Sequence, residues 1–358
     1  MQFKMKKKKI VHIVEAFGGG IFTFLQELVN ETCEEYEIVV AYAKREQTPN
    51  NFKNYFNKDV KFIEMKNLHR KINIIDDFKA FIEIKKIIKQ EQPDIIHLHS
   101  SKAGFIGRMA CNGKKIKVFY NPHGFSFLKQ DDSKLKRRIY LILEKIAAHR
   151  KCTIVGVSKG EYNEALKLTS NAICINNGIN IEEMKKILVN KKTENDIKIC
   201  TIGRIGHQKN PEMFNEIAER FPNIPFTWIG DGELREKLKA KNITITGWKT
   251  REEALKLVNE NDIFILPSLW EGLPMALLEA MYLKKKCLVS NVMGNRDVIE
   301  NGKNGFICND VEDFSEKINK ILNKDIDINE IENNEENDIV EKYSTVRMCD
   351  EYRKIYEI

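Results

Sequence analysis

Short apolar runs alternate with amphipathic stretches along nearly the whole chain, and the alternation restarts once. Ile10–Val14, then 36–43, 60–65, 94–100, 117–124 and 153–158 read as strands, with helical stretches between most of them. A further strand begins in 172–180, after which "IEEMKKILVNKKTENDIK" turns polar and charged. The pattern resumes at 197–204 and continues through 225–232, 243–248, 262–268, 286–291 and 305–309. Strands that alternate with helices over this length predict parallel sheets covered by helices on both faces. The expected fold class is α/β, with two doubly wound Rossmann-like domains. The expected boundaries are 1–178, a linker over 179–196, a second domain over 197–340 and a closing amphipathic helix over 341–358. The acidic, Asn-rich stretch 325–340 reads as a loop with a short helix. A length of 358 residues accommodates two such cores.

Several function classes drop out on composition. The eight cysteines form no C-x-x-C pair, so neither a zinc site nor a disulfide framework is signalled, and a reducing cytoplasm is the simplest setting. "KMKKKK" before "IVHIV" imitates a signal peptide, but His12, Glu15 and three glycines break the apolar run, which reads as a first strand. No apolar run reaches transmembrane length. Charge is lopsided: residues 1–180 hold 32 Lys and Arg against 19 Asp and Glu, whereas the rest hold 27 against 33. The basic runs include "KKIK" (114–117) and "KLKRR" (134–138). Taken singly, each is an ordinary solvated lysine surface. Clustered in one half, they suit an anionic partner such as a membrane surface. No nucleic-acid module is present, so nucleic acid is not expected as a partner.

In open α/β sheets, ligands lie beyond the carboxyl ends of the strands, and four motifs fall there. In "SLWEGLPMALLEA" (268–280) a strand ends, a turn carries Glu271, and Pro274 suits the first position of an apolar helix. Glu279 lies about 7 Å into that helix. The helix N-terminus offers free N–H groups and a positive dipole end, which suit a phosphate. A buried Glu paired to a structural cation is the plainer alternative. In "GRIGHQKN" (203–210), Arg204 and Lys209 flank a loop where two cations could neutralise a diphosphate. "EAFGGGIF" (15–22) places Gly18, Gly19 and Gly20 between strand and helix, a turn that is neither a P-loop nor GxGxxG. In "HLHSS" (97–101), His97 and His99 share one strand face, and His123 follows a strand in "NPHGFSF". No third ligand at a recognisable spacing points to a metal. Each lone histidine has a satisfied structural role as its bland reading.

Together these stretches resemble the retaining GT-B glycosyltransferases of family 4, over nearly the whole chain. The family's Glu-x7-Glu motif is similar to Glu271 and Glu279, its diphosphate clamp to Arg204 and Lys209, its glycine loop to Gly18–Gly20, and its cleft histidine to His123. "HGFSF" and "DIIHLHSSKAG" resemble transferases of capsule, exopolysaccharide and O-antigen assembly. One departure is "MGNRDVI", with Arg296 and Asp297 where many members carry Pro and Glu.

The resemblance implies a nucleoside diphosphate sugar donor, most often UDP-linked, held by the C-terminal domain. It implies donor contacts from Arg204, Lys209, Glu279, Gly19 and Gly20, and from the backbone turn of Gly272, Leu273, Pro274 and Met275. Gly230 and Trp248 would lie near the base. Glu271 and His123 would be catalytic, and His99, Ser100 and Ser158 would face the acceptor, a glycan on a polyprenyl diphosphate. The implied reaction is a front-face substitution in which the leaving phosphate takes the acceptor proton, with no metal and no cofactor. The implied place is the cytoplasm, with "SKLKRRIYLILEKIAAHRK" a candidate contact with the inner-membrane surface. Three alternatives remain open. An epimerase or phosphorylase on the same fold would turn over donor without acceptor or would hold pyridoxal. A non-catalytic surface-binding protein would ignore Glu271→Gln. A hydrolase using His97, His99 and His123 would lose activity to chelators.

Overall fold

The computed structural model describes residues 6–69, 72–111, 116–188, 197–325 and 339–357. Most of the acidic stretch 325–340, the second half of the expected linker and parts of two lysine runs lie outside the described residues. The chain divides into two compact units, 1–177 with 348–358, and 178–347.

The first unit contains β1 (Lys9–Phe17), α1 (Gly19–Thr32), β2 (Glu37–Lys44), β3 (Lys61–Glu64), α2 (Ile74–Glu91) and β4 (Ile95–His99). It continues with α3 (Ser101–Ala110), β5 (Lys117–Asn121), α4 (Lys134–Ala148), β6 (Thr153–Gly156), α5 (Lys159–Leu166) and β7 (Ala172–Cys174). The strands form one parallel sheet in the order β3-β2-β1-β4-β5-β6-β7. Its central strands are apolar on both faces, as a sheet covered on both sides requires. Side chains alternate, so Val11 and Ile13 pack towards α2 and α3 while Ile10 and Val14 pack towards α1.

The second unit contains α6 (Ile181–Leu188), β8 (Ile199–Ile202), α7 (Pro211–Arg220), β9 (Phe226–Ile229), β10 (Ile243–Ile245) and α8 (Arg251–Asn259). After these come β11 (Ile263–Leu266), α9 (Met275–Tyr282), β12 (Lys286–Ser290), α10 (Met293–Arg296), β13 (Phe306–Cys308) and α11 (Val311–Leu322). Its parallel sheet runs β10-β9-β8-β11-β12-β13. The closing helix α12 (Thr345–Glu357) begins in this unit and carries Met348, Cys349, Tyr352 and Tyr356 into the core of the first.

Two expectations shift. Residues 181–188, read as linker, form α6 with Met184 and Ile187 buried, and the Ile187 carbonyl accepts from Asn259 Nδ2. A narrow apolar face was hidden there by polar neighbours. Pro274 is the N-cap of α9 rather than its first residue, with extended ψ of 111°.

Candidate active site

In the second unit, the turn after β11 is clamped from several sides. Ser290 on β12 donates through Oγ to the carbonyl of Ser268, 2.5 Å away, and Asn295 Nδ2 donates to the carbonyl of Ser290. Gly294 lies against the carbonyl of Gly272, where an added Cβ would come within 2.4 Å of that oxygen. Leu273, Pro274 and Met275 are buried. What this turn offers outward is therefore backbone at a helix N-terminus, a setting that favours anions.

The loop after β8 docks on that turn. Leu269 N donates to the carbonyl of Gln208, and Gln208 Nε2 donates to the carbonyl of Trp270 and to Glu271 Oε2. Lys209 Nζ lies 2.6 Å from Glu271 Oε1, and both side chains are largely buried. Lys209 and Glu271 are thus brought together. Arg204 is not part of this pair: its Nε donates to Glu233 Oε2 at 2.7 Å, and its side chain is 38% exposed. Gly203 (φ +139°) and Gly230 (φ +141°) interlock, because a Cβ on Gly230 would lie 2.2 Å from the Gly203 carbonyl. Trp228 Nε1 donates to the same carbonyl, while Trp248 is 54% exposed.

Glu279 is the fifth residue of α9 and is buried. Its partner is Arg251 at the start of α8, with Nη1 2.5 Å from Glu279 Oε1 and Nε 3.1 Å from Glu183 Oε2. Burial raises the Glu279 pKa, and the Arg251 guanidinium offsets part of that rise. Sequence reasoning missed Arg251, Glu183 and Glu233. One signal was available for Arg251: a cation in the first turn opposes the helix dipole, so it needs a carboxylate partner.

In the first unit, parallel register sets His12 on β1 beside His97 on β4, on the face towards α1 and α12. Four imidazoles meet there. His12 Nδ1 is 3.0 Å from His99 Nε2, and His99 Nδ1 is 3.2 Å from His123 Nε2. His97 contacts the Tyr356 hydroxyl at 2.7 Å and Asn121 Oδ1 at 2.5 Å, while Asn121 Nδ2 donates to Tyr352. Desolvation lowers all four pKa values, that of His97 to about 4 and that of His123 to about 3. The rings are therefore neutral. His12 Nε2 is buried without a partner, and an orphaned lone pair is better tolerated than an orphaned N–H. That choice makes His12 donate to His99 and His99 donate to His123, which leaves the proton of His123 on Nδ1. His12, His97 and His99 are close enough to hold a metal ion. His97 and His99, however, already spend both ring nitrogens on protein hydrogen bonds.

The three acceptor-side candidates, His99, Ser100 and Ser158, each take partners within the first unit. His99 is fully buried inside this network. Ser158 is also fully buried and caps α5 by accepting from Glu161 N. His99 ends β4 with both ring nitrogens engaged, and Ser158, the N-cap of α5, turns its hydroxyl to the helix. Ser100, with φ of 73°, donates to Glu15 Oε2, and Glu15 pairs with Arg45. Gly124, next to His123, donates through its N–H to the buried Glu161 carboxylate at 2.6 Å. Gly19 and Gly20 open α1 rather than forming a loop before it, and a Cβ on Gly19 (φ +54°) would meet nothing within 4 Å.

Residues 18–183 match the family model described as Glycosyltransferase Family 4, and residues 180–338 match Glycosyl transferases group 1. An Escherichia coli protein named UDP-Gal:alpha-D-GlcNAc-diphosphoundecaprenol alpha-1,3-galactosyltransferase is 30% identical, over 99% of this chain and 98% of its own. A Campylobacter jejuni alpha-1,4-N-acetyl-D-galactosaminyltransferase, whose name specifies a glycan on undecaprenol diphosphate, is 25% identical over 91% of this chain and 92% of its own. Among solved structures, a sucrose-phosphate synthase from Thermosynechococcus elongatus aligns with a TM-score of 0.81 at 14% identity, over 98% of each chain. Anabaena HepE in complex with UDP and glucose aligns with a TM-score of 0.79 at 14% identity, over 98% of this chain and 99% of that one. At such identities the two structures share the fold alone.

Proposed function

Because the chain belongs to glycosyltransferase family 4, we propose that it moves a hexose or N-acetylhexosamine from a UDP-sugar to a glycan on a polyprenyl diphosphate. The product would be a bacterial surface polysaccharide, assembled at the cytoplasmic side of the membrane. The reaction proceeds with retention and without a metal ion. The observation that carries this reading is the buried Lys209–Glu271 pair at the N-terminal turn of α9.

The second unit binds the donor. Backbone N–H groups of Gly272, Leu273 and Met275 and the Lys209 ammonium take the charge that develops on the leaving diphosphate, a preorganised electrostatic contribution. Glu271 accepts from sugar hydroxyls while holding Lys209. Glu279 uses Oε1 for Arg251 and Oε2 for the ribose hydroxyls. Arg204 turns from Glu233 to the phosphates, and Gly230 and Trp248 border the base. The bond from the anomeric carbon to the diphosphate oxygen breaks as the acceptor oxygen bonds on the same face, and the acceptor proton passes to the departing phosphate. In the first unit, Gly19 and Gly20 offer amides to the donor, and His123 donates from Nδ1 to a sugar oxygen. Support for UDP comes from the name of the Escherichia coli relative, and support for a lipid-linked acceptor from the names of both relatives above.

Thermal unfolding with UDP, GDP, ADP and CMP tests the donor site. A ligand at about 100 times its Kd stabilises by roughly 2.7 kcal/mol. UDP is expected to raise Tm in the wild type and to lose that effect in Glu279→Ala and Lys209→Ala. No shift with any nucleotide would overturn the reading.

A further inference from the structure

Gln208 reaches three successive residues of the turn before α9. Its carbonyl accepts from Leu269 N at 2.8 Å, and its side-chain Nε2 donates to the Trp270 carbonyl at 3.0 Å and to Glu271 Oε2 at 3.3 Å. An amide nitrogen carries two hydrogens, so both are spent. Two acceptors on one nitrogen also fix which way the amide faces, because the flipped group would set its oxygen against two other oxygens. The backbone beneath is shaped for this reach. His207–Lys209 form one turn of 3₁₀ helix, and Asn210 ends it at φ +53°, a left-handed conformation in which asparagine is enriched among residues with a Cβ. Asn210 then caps α7, accepting through its side chain from Met213 N.

The consequence falls on Glu271. Its Oε1 takes Lys209 Nζ at 2.6 Å, and its Oε2 takes Gln208. One such contact is a pivot: the last torsion of a glutamate is broad, and the carboxylate can turn about its contact with Lys209. The second contact stops that rotation. A carboxylate has about four acceptor positions. Among the described residues, Lys209 and Gln208 fill one on each oxygen. One position on each oxygen is left, and the two protein contacts set its direction. That is a template for hydroxyls at a fixed orientation. A buried site that accepts from a hydroxyl penalises a ligand whose hydroxyl points elsewhere, because the acceptor is left unpaired. Glu271 is 8% exposed, so water is a poor substitute. Lys209 also serves the leaving diphosphate, whereas Gln208 serves the turn alone.

We propose that Gln208 is a positioning residue that sets selectivity for the donor sugar: it locks the Glu271 carboxylate, whose remaining acceptor positions then discriminate the orientation of the sugar hydroxyls. Gln208 acts through Glu271 and touches no donor atom. The proposal rests on the reading of Glu271 as the acid that binds the donor sugar, and deepens it.

The test is calorimetric titration of the purified full chain with UDP, with UDP-glucose and UDP-galactose, and with the two N-acetylhexosamine counterparts. Within each pair the sugars differ only in the orientation of one hydroxyl. Wild type, Gln208→Leu, Gln208→Glu and His207→Ala are compared, His207 being exposed on the same 3₁₀ turn. UDP alone has no sugar to read, so its Kd should stay within about threefold in all four chains. The wild type is expected to prefer one member of a pair. Gln208→Leu should lower that preference about tenfold, the scale for one hydrogen bond to a charged group. Gln208→Glu sets a second carboxylate against Glu271 and should lower it at least as far. His207→Ala should leave it unchanged. A Gln208 that serves only the fold would weaken UDP and its sugars alike and keep the preference, which would overturn the proposal. So would a wild type indifferent to the epimers, or a loss of preference in His207→Ala equal to that in Gln208→Leu. UDP binding with an unaltered preference thus sinks this inference alone, whereas binding of no nucleotide by the wild type sinks the transferase reading and this inference with it.

Discussion

Lys209 Nζ and Glu271 Oε1 lie 2.6 Å apart, joining the loop after β8 to the turn before α9 through two side chains that are 17% and 7% exposed. Removing one partner leaves a charge in a site that water barely reaches. Lys209→Met is therefore expected to cost about 3–5 kcal/mol of stability, and the double variant with Glu271→Gln should recover about 1–3 kcal/mol of it. Turnover should fall by about 100-fold to 1,000-fold in Lys209→Met, the scale for loss of one preorganised group. Urea unfolding of the two single variants and the double variant, with initial rates, checks both effects. Additive stability losses would show that the two residues are not coupled.

Glu279 and Arg251 make the second such joint, between α9 and α8. Arg251 also reaches Glu183 on α6, so Arg251→Met strands two carboxylates, one of them in the interior. The expected loss is about 3–5 kcal/mol, together with weaker UDP binding. Glu279→Gln keeps the shape and removes the buried charge, so it should cost less stability while still weakening UDP. Calorimetric unfolding and UDP titration separate the outcomes. Equal stability loss in the two variants would mean that Arg251 does not serve to hold Glu279.

Every strand stretch read from the sequence contains an observed strand, because buried parallel strands are written as short apolar runs between turn residues. The apolar helix holding Glu279 was equally plain. What the linear pattern withheld was pairing. His12 and His97 are 85 positions apart, and only the β1–β4 register puts them side by side. Arg251 stands 28 positions before Glu279 and Glu233 stands 29 after Arg204, and neither spacing has a local signature. Arg204 and Lys209, one loop apart, look like a matched clamp in the sequence, yet their side chains take different partners. Gly294 stands in the "MGNRDVI" stretch, but no spacing there announces its contact with the Gly272 carbonyl.

That contact gives a third prediction. In Gly294→Ala the new Cβ would lie 2.4 Å from the Gly272 oxygen and 2.9 Å from the Glu271 carbonyl carbon. Both are backbone atoms and cannot swing aside, so the 271–275 turn must shift. The expected cost is about 1–3 kcal/mol, with loss of the UDP-induced Tm shift and an unchanged far-UV spectrum. Gly302→Ala is the control: its φ of +82° strains an alanine, but a Cβ there meets nothing within 4 Å. It should lose stability and keep the UDP shift. A Gly294→Ala chain that still binds UDP like the wild type would show that the turn is not built by this contact.

The four-histidine network gives the last prediction, and its sign follows from burial. Folded His12, His97, His99 and His123 all have lowered pKa values, about 4 for His97 and about 3 for His123. Unfolded, each returns to about 6.5. Above that value both states hold neutral rings, so stability does not depend on them. Below it the unfolded chain takes up protons that the folded chain refuses, and stability falls with falling pH. Each ring contributes a slope of up to about 1.4 kcal/mol per pH unit, so the four rings together give up to about 5.5. The loss should run from about pH 6.5 down towards the folded values, and above about pH 5 most carboxylates still stay ionised. Urea unfolding across that interval measures the slope. His12→Leu removes one ring of the four, the one with an unpartnered nitrogen, and should cut the slope by about a quarter. A stability that stays flat to about pH 5 would mean that these rings take up protons in the folded chain, which the neutral chain of donors running from His12 to His123 does not allow.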